Sequence, residues 1–555
     1  MAKATASPVA QRTSIDPLMV VVAVTASVAF YPAIFGGFVW DDAFYVKNNP
    51  LLHSPMLASL AAIATSVAVG NYHPLTVASL AFDNALFGPG PLVFHVTNVL
   101  LHAANAVLVG RLFLVLGIRR DAAWAGALLW AVHPLRVESV AWISGRKDVL
   151  YVFFFLSALL AYVRHARTGA GMGRFYGLSL VLFVCSALSK GMAVAFVPVM
   201  FLVDGYVGRR ITVRSIVEKL PFVVLALVFG AVAVIAQATA GAIPLTHGYG
   251  LAERFALACY GLGFYVVKTL APWALSAFYP YPAAASGGLP RVVIFSVFAV
   301  AAVVAAAVLK RKSFPAAAFA VGFYLATVVL VLQVFPVGSA VAADRYTYLS
   351  GIAASFLIAA ALCAVPFRRW IAATVLVAAL LLSGATWARC RVWHDGLTLW
   401  SDVLSKYPGV AFAHLNRGIA RAERGDGRGA IVDYDQALAL SPGFAEAWAS
   451  RAASKADLGD LEGASADLRE AIRISPTRAI YRFNLGLILG DEGRWDEAIA
   501  SLSESIRLKP DFAEAYLNRG LALEQSGRAA KGATDVRRAK ALGYPVSPEV
   551  LRRFE

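Results

Sequence analysis

Apolar residues fill the first 390 positions in long, nearly unbroken runs, and then the pattern stops. Runs long enough, or nearly long enough, to cross a bilayer occupy 17–36, 92–116, 122–142, 148–166, 175–189, 191–207, 219–240, 251–271, 291–309, 315–335, 349–366 and 370–388. Each predicts a membrane helix, although 175–207 is tight for two crossings. From about residue 389 Glu, Asp and Arg become frequent and a different periodicity takes over. Pro408, Pro442, Pro476 and Pro510 recur every 34 residues. That period, with Pro closing each unit, is the mark of tetratricopeptide helix pairs. Small residues keep the same step: Gly418, Ala452, Gly486 and Gly520 in the first helix, Ala430, Ala464, Ala498 and Gly532 in the second. The chain therefore reads as all-α, a multi-span helical membrane core followed by a tetratricopeptide solenoid. Predicted boundaries are a cytoplasmic tail at 1–16, a membrane domain at 17–390, a linker at 391–410, four repeats at 411–545 and a cap at 546–555.

Basic residues between the runs set the orientation. Arg119–Arg120, Arg164/Arg167/Arg174, Arg209/Arg210/Arg214, Lys310–Lys312 and Arg368–Arg369 belong on the cytoplasmic side. A cytoplasmic N-terminus satisfies the first three clusters by strict alternation. The Lys310–Lys312 cluster fits only if 251–271 is re-entrant or interfacial, which leaves about eleven true spans. The N-terminal run lacks a clear small-residue cleavage site and is long enough to span, so it reads as a retained signal-anchor. On this topology the 37–91 loop, the 134–147 loop, Lys190, the 272–290 loop, Asp344–Arg345 and the repeats of a multi-pass membrane protein all face away from the cytoplasm.

Composition supports the division. Only 15% of the 555 residues are charged and 59% are hydrophobic, far from a soluble domain. The formal charge of +16 does not indicate nucleic acid, because much of the excess lies in short loops where it sets topology. The four cysteines (185, 259, 363, 390) show neither a disulfide framework nor metal spacing. His73, His95, His102 and His133 share no metal-ligand spacing either, so no metal site is predicted.

Candidate chemistry gathers on the extracytoplasmic loops. Asp41 and Asp42, in Phe38-Val39-Trp40-Asp41-Asp42, follow the first apolar run, and ionisable groups held at that depth are costly. The stretch from His133 to Asp148 adds Glu138, Arg146 and Asp148. Lys190 stands alone between two apolar runs, and Asp344-Arg345 opens another. His73 lies in the first loop, whose 54–69 segment is weakly amphipathic. Cations on the side that topology disfavours need a reason. One is an anionic headgroup such as a lipid-linked phosphate, gripped by Arg146, Lys190 and Arg345. The other is pairing with Asp148, Glu138 and Asp344 to hold helices together.

One carboxylate and several cations suffice for transfer from a polyprenyl phosphate. The phosphate is already a good leaving group, the acceptor hydroxyl needs one base, and in-line displacement inverts the sugar. In the repeats, Asn416, Asn484 and Asn518 stand two residues before the small residue of the first helix. There an amide matches an extended peptide backbone without reading its sequence.

With Asn48-Asn49-Pro50, Gly145-Arg146-Lys147-Asp148-Val149-Leu150, Leu188-Ser189-Lys190 and Asp344-Arg345-Tyr346-Thr347-Tyr348-Leu349, these motifs resemble the transmembrane and tetratricopeptide-repeat O-mannosyltransferases of the GT-C superfamily. The resemblance covers nearly the whole chain, including the domain order. It implies a polyprenyl- or dolichyl-phosphate mannose donor, no tightly bound cofactor, Ser or Thr of exported proteins as acceptors, Asp41 as base and Asp42 in support. Two features depart. Gly191 stands where that family usually has Glu, and the short array with an Ala-, Val- and Arg-rich composition reads as bacterial, favouring undecaprenyl over dolichyl. Two other readings are a glycosyltransferase acting on an envelope glycan or lipid, and a non-enzymatic membrane-anchored repeat scaffold. The second leaves the charged cluster unexplained.

Overall fold

The computed structural model describes residues 16–53, 56–168, 172–239, 249–282, 289–332, 340–366 and 368–554, and the predicted tail at 1–15 lies outside them. Residues up to Leu399 and from Trp400 onward form two compact units. Helices dominate both. The described strands are Tyr279–Pro280 and Ala340–Ala342, which pair antiparallel with Tyr279 opposite Ala342.

Among the described residues of the first unit, five helices are long and apolar enough to cross a membrane: Pro91–Val115, Ile143–Arg167, Val213–Thr239, Arg291–Leu309 and Arg369–Val392. The segment Asp344–Ser350 followed by Ile352–Cys363, bent by 45°, makes a sixth if taken as one span. Pro17–Ala29, Arg174–Ser189, Gly191–Tyr206 and Pro315–Val331 are apolar but shorter. The sequence predicts about eleven crossings; five helices, or six with the bent pair, meet the length and composition on their own. Leu251–Leu270 is one continuous helix carrying Glu253, Arg254 and Lys268, too polar for a plain span. The run 122–142 is not one helix. Its helix ends at Ala131, because Pro134 forces His133 into an extended conformation (ψ 131°) and the chain re-enters as a short turn at Pro134–Arg136.

The core is built on aromatic contacts between helices. Phe196 packs against Phe155 and Phe183 (centroids 5.1 Å from each) and against Phe222 (5.7 Å), joining four helices. At one end Asp16 caps the first helix through Leu18 N (3.0 Å), pairs with Arg120 (2.7 Å) and accepts from Trp124 Nε1 (2.9 Å). Buried polar groups form two clusters, one of His165, Asp204, Glu218 and Lys219, the other around Asp42, Glu138, Arg146 and Asp148.

In the second unit, four helix pairs follow the 34-residue period: 411–422 with 427–440, 445–457 with 461–474, 479–491 with 495–508, and 513–525 with 529–541. Gly425, Gly459, Gly493 and Gly527 hold positive φ (74° to 87°) between the helices of each pair, the left-handed turn that ends a helix. Within pairs, Arg417, Arg451 and Arg519 bond Asp433, Asp467 and Asp535, sixteen residues on (2.5–2.7 Å). The third pair replaces both partners at once, with Leu485 and Ser501, and the Ser501 hydroxyl donates to Arg482 O instead (2.7 Å). The predicted linker 391–410 contains the helix Gly396–Lys406, which falls 34 residues before 430–440 and sets Trp400 edge-on to Phe412 at 5.5 Å. The array thus opens with the second half of a further repeat. At its far end Pro548–Arg553 folds back, Arg553 pairing with Glu524 and Phe554 lying against Gly532.

Candidate active site

The loop after the first helix reaches Asp41 through a strained residue. Trp40 holds φ 53°, a left-handed conformation that costs a bulky side chain about 1–2 kcal/mol. It stacks on Trp142 (5.1 Å, 17° between planes), which fixes the turn. A π-helical turn, Ala43–Lys47, follows.

The two adjacent aspartates have different tasks. Asp42 is fully buried, and its oxygens accept from Ser144 N (2.8 Å), Ser144 Oγ (2.5 Å) and Val39 N (3.0 Å). It clamps the first loop to the turn at Trp142–Gly145. Burial lifts its pKa to about 7 against those three bonds, which favour the charged form. Asp41 is half-buried, and among the described residues nothing bonds to its carboxylate. Burial raises its pKa, opposed by the positive charges of Lys147 and Arg345 facing it.

The Gly145-Arg146-Lys147-Asp148 stretch supplies the opposite wall. A Cβ on Gly145 would sit 2.5 Å from Ser139 O, so only glycine allows this turn to close on the preceding one. Arg146 and Lys147 then diverge. Arg146 is wholly buried and saturated by Asn98 Oδ1 (2.5 Å), Ser79 Oγ (2.9 Å), Asp83 (2.7 Å) and Phe94 O (3.0 Å). Its expected place on a donor phosphate is thus taken by protein groups. Lys147, unlike Arg146, faces Asp41. Its Nζ lies 4.7 Å from the Tyr45 ring and 4.7 Å from the Trp142 ring, and no described carboxylate pairs with it.

Two further cations border this space already paired. Lys190 bonds Asp148, whose second oxygen is buried without a partner, and sits near the Tyr151 and Tyr346 rings (5.6 and 5.9 Å). Arg345 bonds Glu138 through its guanidinium and its backbone N (2.9 Å), and lies over Trp40, Trp142 and Tyr346 at 5.0–5.8 Å. His73 stacks on Tyr45 (5.3 Å) with Nε2 buried and unpaired; burial and the two lysines drop its pKa to about 3, so it is neutral. Thr76, on the helix that His73 begins, donates to Ser189 O (2.9 Å) and fixes the approach to Lys190. Asp41, Lys147, Lys190, Asp148, Arg345, Glu138 and His73 therefore form one cluster.

Other expected members have structural partners. Asp344, beside Arg345 and within electrostatic reach of Glu138, accepts from Tyr279 Oη (2.8 Å) on the two-stranded sheet. His133 accepts from Leu135 N (3.2 Å) through Nδ1, which leaves Nε2–H to donate to Thr269 O (3.0 Å), a fully used structural residue. In the second unit, Asn416 and Asn518 each donate Nδ2 to their own helix (Phe412 O and Glu514 O, 2.8 Å), which leaves the amide oxygens. Asn484 is half-buried. Among the described residues no group of three His, Cys, Asp or Glu is placed to hold a metal.

Lys147 and Asn98 are the members that sequence reading overlooks. Asn98 donates to Val140 O and Trp142 O (3.3 and 3.0 Å) and steadies the wall that presents Lys147. Consecutive helical residues point about 100° apart, so only one of Arg146 and Lys147 can face the cavity, and the sequence does not fix the phase. The faint signal is Phe82-Asp83, a lone acid in an apolar stretch that needs one buried cation.

Comparison with known proteins places these observations. Sequence-family profiles described as "TPR repeat" and "Tetratricopeptide repeat" match residues 488–527 and 393–479. Among curated proteins, the chain is similar to the TMTC protein O-mannosyl-transferases. It is 35% identical to mouse TMTC2 over 198 residues, 33% of this chain and 23% of that protein. It is 31% identical to human TMTC4 over 226 residues, 36% of this chain and 30% of that protein. The matched region thus spans less than a third of these relatives' length. Among solved structures, a crystal structure of MamA is 25% identical, with a TM-score of 0.25, over 26% of this chain and 85% of that one.

Proposed function

We propose that this chain is a multi-pass membrane glycosyltransferase of the GT-C type. It moves a sugar, mannose by analogy with its relatives, from a polyprenyl-phosphate donor to Ser or Thr of exported polypeptides on the extracytoplasmic side. One observation carries the reading: among the described residues, Asp41, a carboxylate without a hydrogen bond, faces Lys147, a cation without a paired carboxylate. Base and leaving-group acceptor are then both available, while the flanking cations are already held in place.

The acceptor Oγ attacks the anomeric carbon from the Asp41 side and Asp41 takes its proton. The bond between that carbon and the phosphate oxygen breaks, its electron pair leaves with the polyprenyl phosphate, and the configuration inverts. The phosphate passes from one negative charge to two, and Lys147, with Lys190 and Arg345 beside it, meets that added charge. Asp42 takes no part in proton transfer; it holds the loop. The repeats supply a surface for the polypeptide, with Asn416, Asn484 and Asn518 offering amides to its backbone.

The test uses the full chain in nanodiscs with labelled mannosyl-phosphoryl-undecaprenol and Ser/Thr peptides, alongside intact-mass analysis of envelope proteins from wild-type, deletion and Asp41→Asn cells. Hexose-sized masses lost in both mutants support the reading. Label that passes only to glycan or lipid overturns the protein acceptor, and no transfer at all overturns the enzyme.

A further inference from the structure

We infer that the donor's polyprenyl tail runs in the apolar groove between the turn Gly191–Ala195, the helix Phe196–Tyr206 and the helix Leu220–Thr239. This rests on the donor reading above and adds where its lipid is held. The groove has a volume of about 390 Å³, and Val194, Val197, Val223, Ala226, Leu227 and Gly230 line it. All are apolar or lack a side chain, which suits a hydrocarbon and offers nothing to a sugar or peptide.

Its position selects the occupant. Lys190, which borders the cluster around Asp41, immediately precedes the 3-10 turn Gly191–Ala195, and Val194 at the end of that turn lines the groove. At roughly 2 Å rise per residue, the groove begins about 8 Å along the chain from Lys190. A cation at the mouth and a hydrocarbon wall behind it match an amphiphile with a phosphate head. The turn is close to the opposite helix: a Cβ on Gly191 would come within 3.1 Å of the Ala233 methyl. Gly191 therefore lets the Lys190 turn close onto the helix Leu220–Thr239, where the larger residue usual in the resembling family would hold them apart. Further along, Gly230 lines the groove with nothing within 4 Å of an added Cβ. That space can be filled without disturbing a protein contact.

A second apolar groove of about 320 Å³, lined by Ser27, Val28, Tyr31, Val99 and Trp387 among others, supplies the control.

The experiment compares KM for mannosyl phosphate carried on undecaprenol and on the ten-carbon citronellol, with the full chain in nanodiscs. Gly230→Leu is expected to raise KM severalfold for the long donor and so shift the long-to-short ratio. Val28→Phe is expected to leave that ratio at the wild-type value. A ratio unmoved by Gly230→Leu, or moved equally by Val28→Phe, overturns the inference. Diazirine-bearing undecaprenyl phosphate, which has no sugar, reads occupancy without turnover. Adducts on 194–197 and 223–231 support the groove; adducts spread evenly over the lipid-facing helices mean ordinary bilayer contact and overturn it. Cross-linking in the groove with no sugar transfer from either donor would instead refute the proposed reaction and leave the lipid site standing.

Discussion

Truncating two neighbouring carboxylates should have opposite consequences. Asp41→Ala removes a side chain with no hydrogen bond, so stability should change by no more than about 0.5 kcal/mol. Turnover should fall about 10²–10⁴-fold, the usual contribution of a positioned base. Asp42→Ala removes the acceptor of three bonds and leaves the Val39 and Ser144 N–H groups buried without partners. At about 1–3 kcal/mol for each stranded N–H, the loss is roughly 2–6 kcal/mol. Asp42→Asn is the milder probe. Its amide oxygen can keep both Ser144 bonds, and its neutrality imitates the protonated carboxyl that burial favours, so the loop and much of the activity should survive. The assays are initial-rate transfer in nanodiscs and the thermal midpoint of the same preparations. If Asp41→Ala lowers the midpoint while Asp42→Ala abolishes turnover at an unchanged midpoint, the division of labour is wrong and the base is Asp42.

Further outcomes are expected on the pH dependence, the two basic residues and the repeats. Because burial raises the folded-state pKa of Asp42 from 3.8 to about 7, its contribution to stability is complete below pH 4 and lost as pH rises to 7. Wild-type thermal midpoints should therefore fall over that window, and those of Asp42→Asn should fall less; equal slopes would dismiss Asp42 as the titrating group. Lys147→Met should raise KM for the donor or lower turnover in a protein of normal stability. Arg146→Met should cost about 3–5 kcal/mol by stranding Asp83, as read from denaturation midpoints; the reverse pattern would restore Arg146 as the phosphate ligand. In the repeats, Asp467→Ala removes the partner of Lys455 and one of the two partners of Arg451, which keeps Asp435, and should cost about 1–3 kcal/mol. Arg451→Leu with Asp467→Ser, which copies the third repeat, should lie within about 1 kcal/mol of wild type by chemical denaturation.

Periodic features were legible in the sequence and singular ones were not. The 34-residue step marked the four helix pairs, because each position is sampled four times and chance spacing averages out, but not the half repeat at Gly396–Lys406, which reads as linker. The Arg–Asp pairs sixteen residues apart were equally readable: Arg417, Arg451 and Arg519 keep the step, and Leu485 appears where Ser501 replaces the acid. The membrane unit has no such redundancy. Its apolar runs marked where helices lie, but hydropathy does not see Pro134 ending one of them, nor which residues a run hides. The acidic pair shows the limit. Adjacent aspartates on a loop are equivalent on paper; only the Ser144 and Val39 donors decide which is a clamp.

A general rule follows for charged motifs beside a membrane. A charge there must be either saturated by protein or kept for a ligand, and those demands fall on different residues of one motif. In Gly145-Arg146-Lys147-Asp148, Arg146 is saturated by four protein groups, and its planar fork suits that fixed arrangement. Asp148 is half-used, spending one oxygen on Lys190. Lys147 lies against aromatic faces, within reach of Asp41 and Asp148 but, among the described residues, in no ion pair. The same sorting separates Asp42 from Asp41. Each pair thus contains one residue that builds the wall and one that faces the space it encloses. The two residues left over, a free carboxylate and a free ammonium, are the ones a displacement with an anionic leaving group requires.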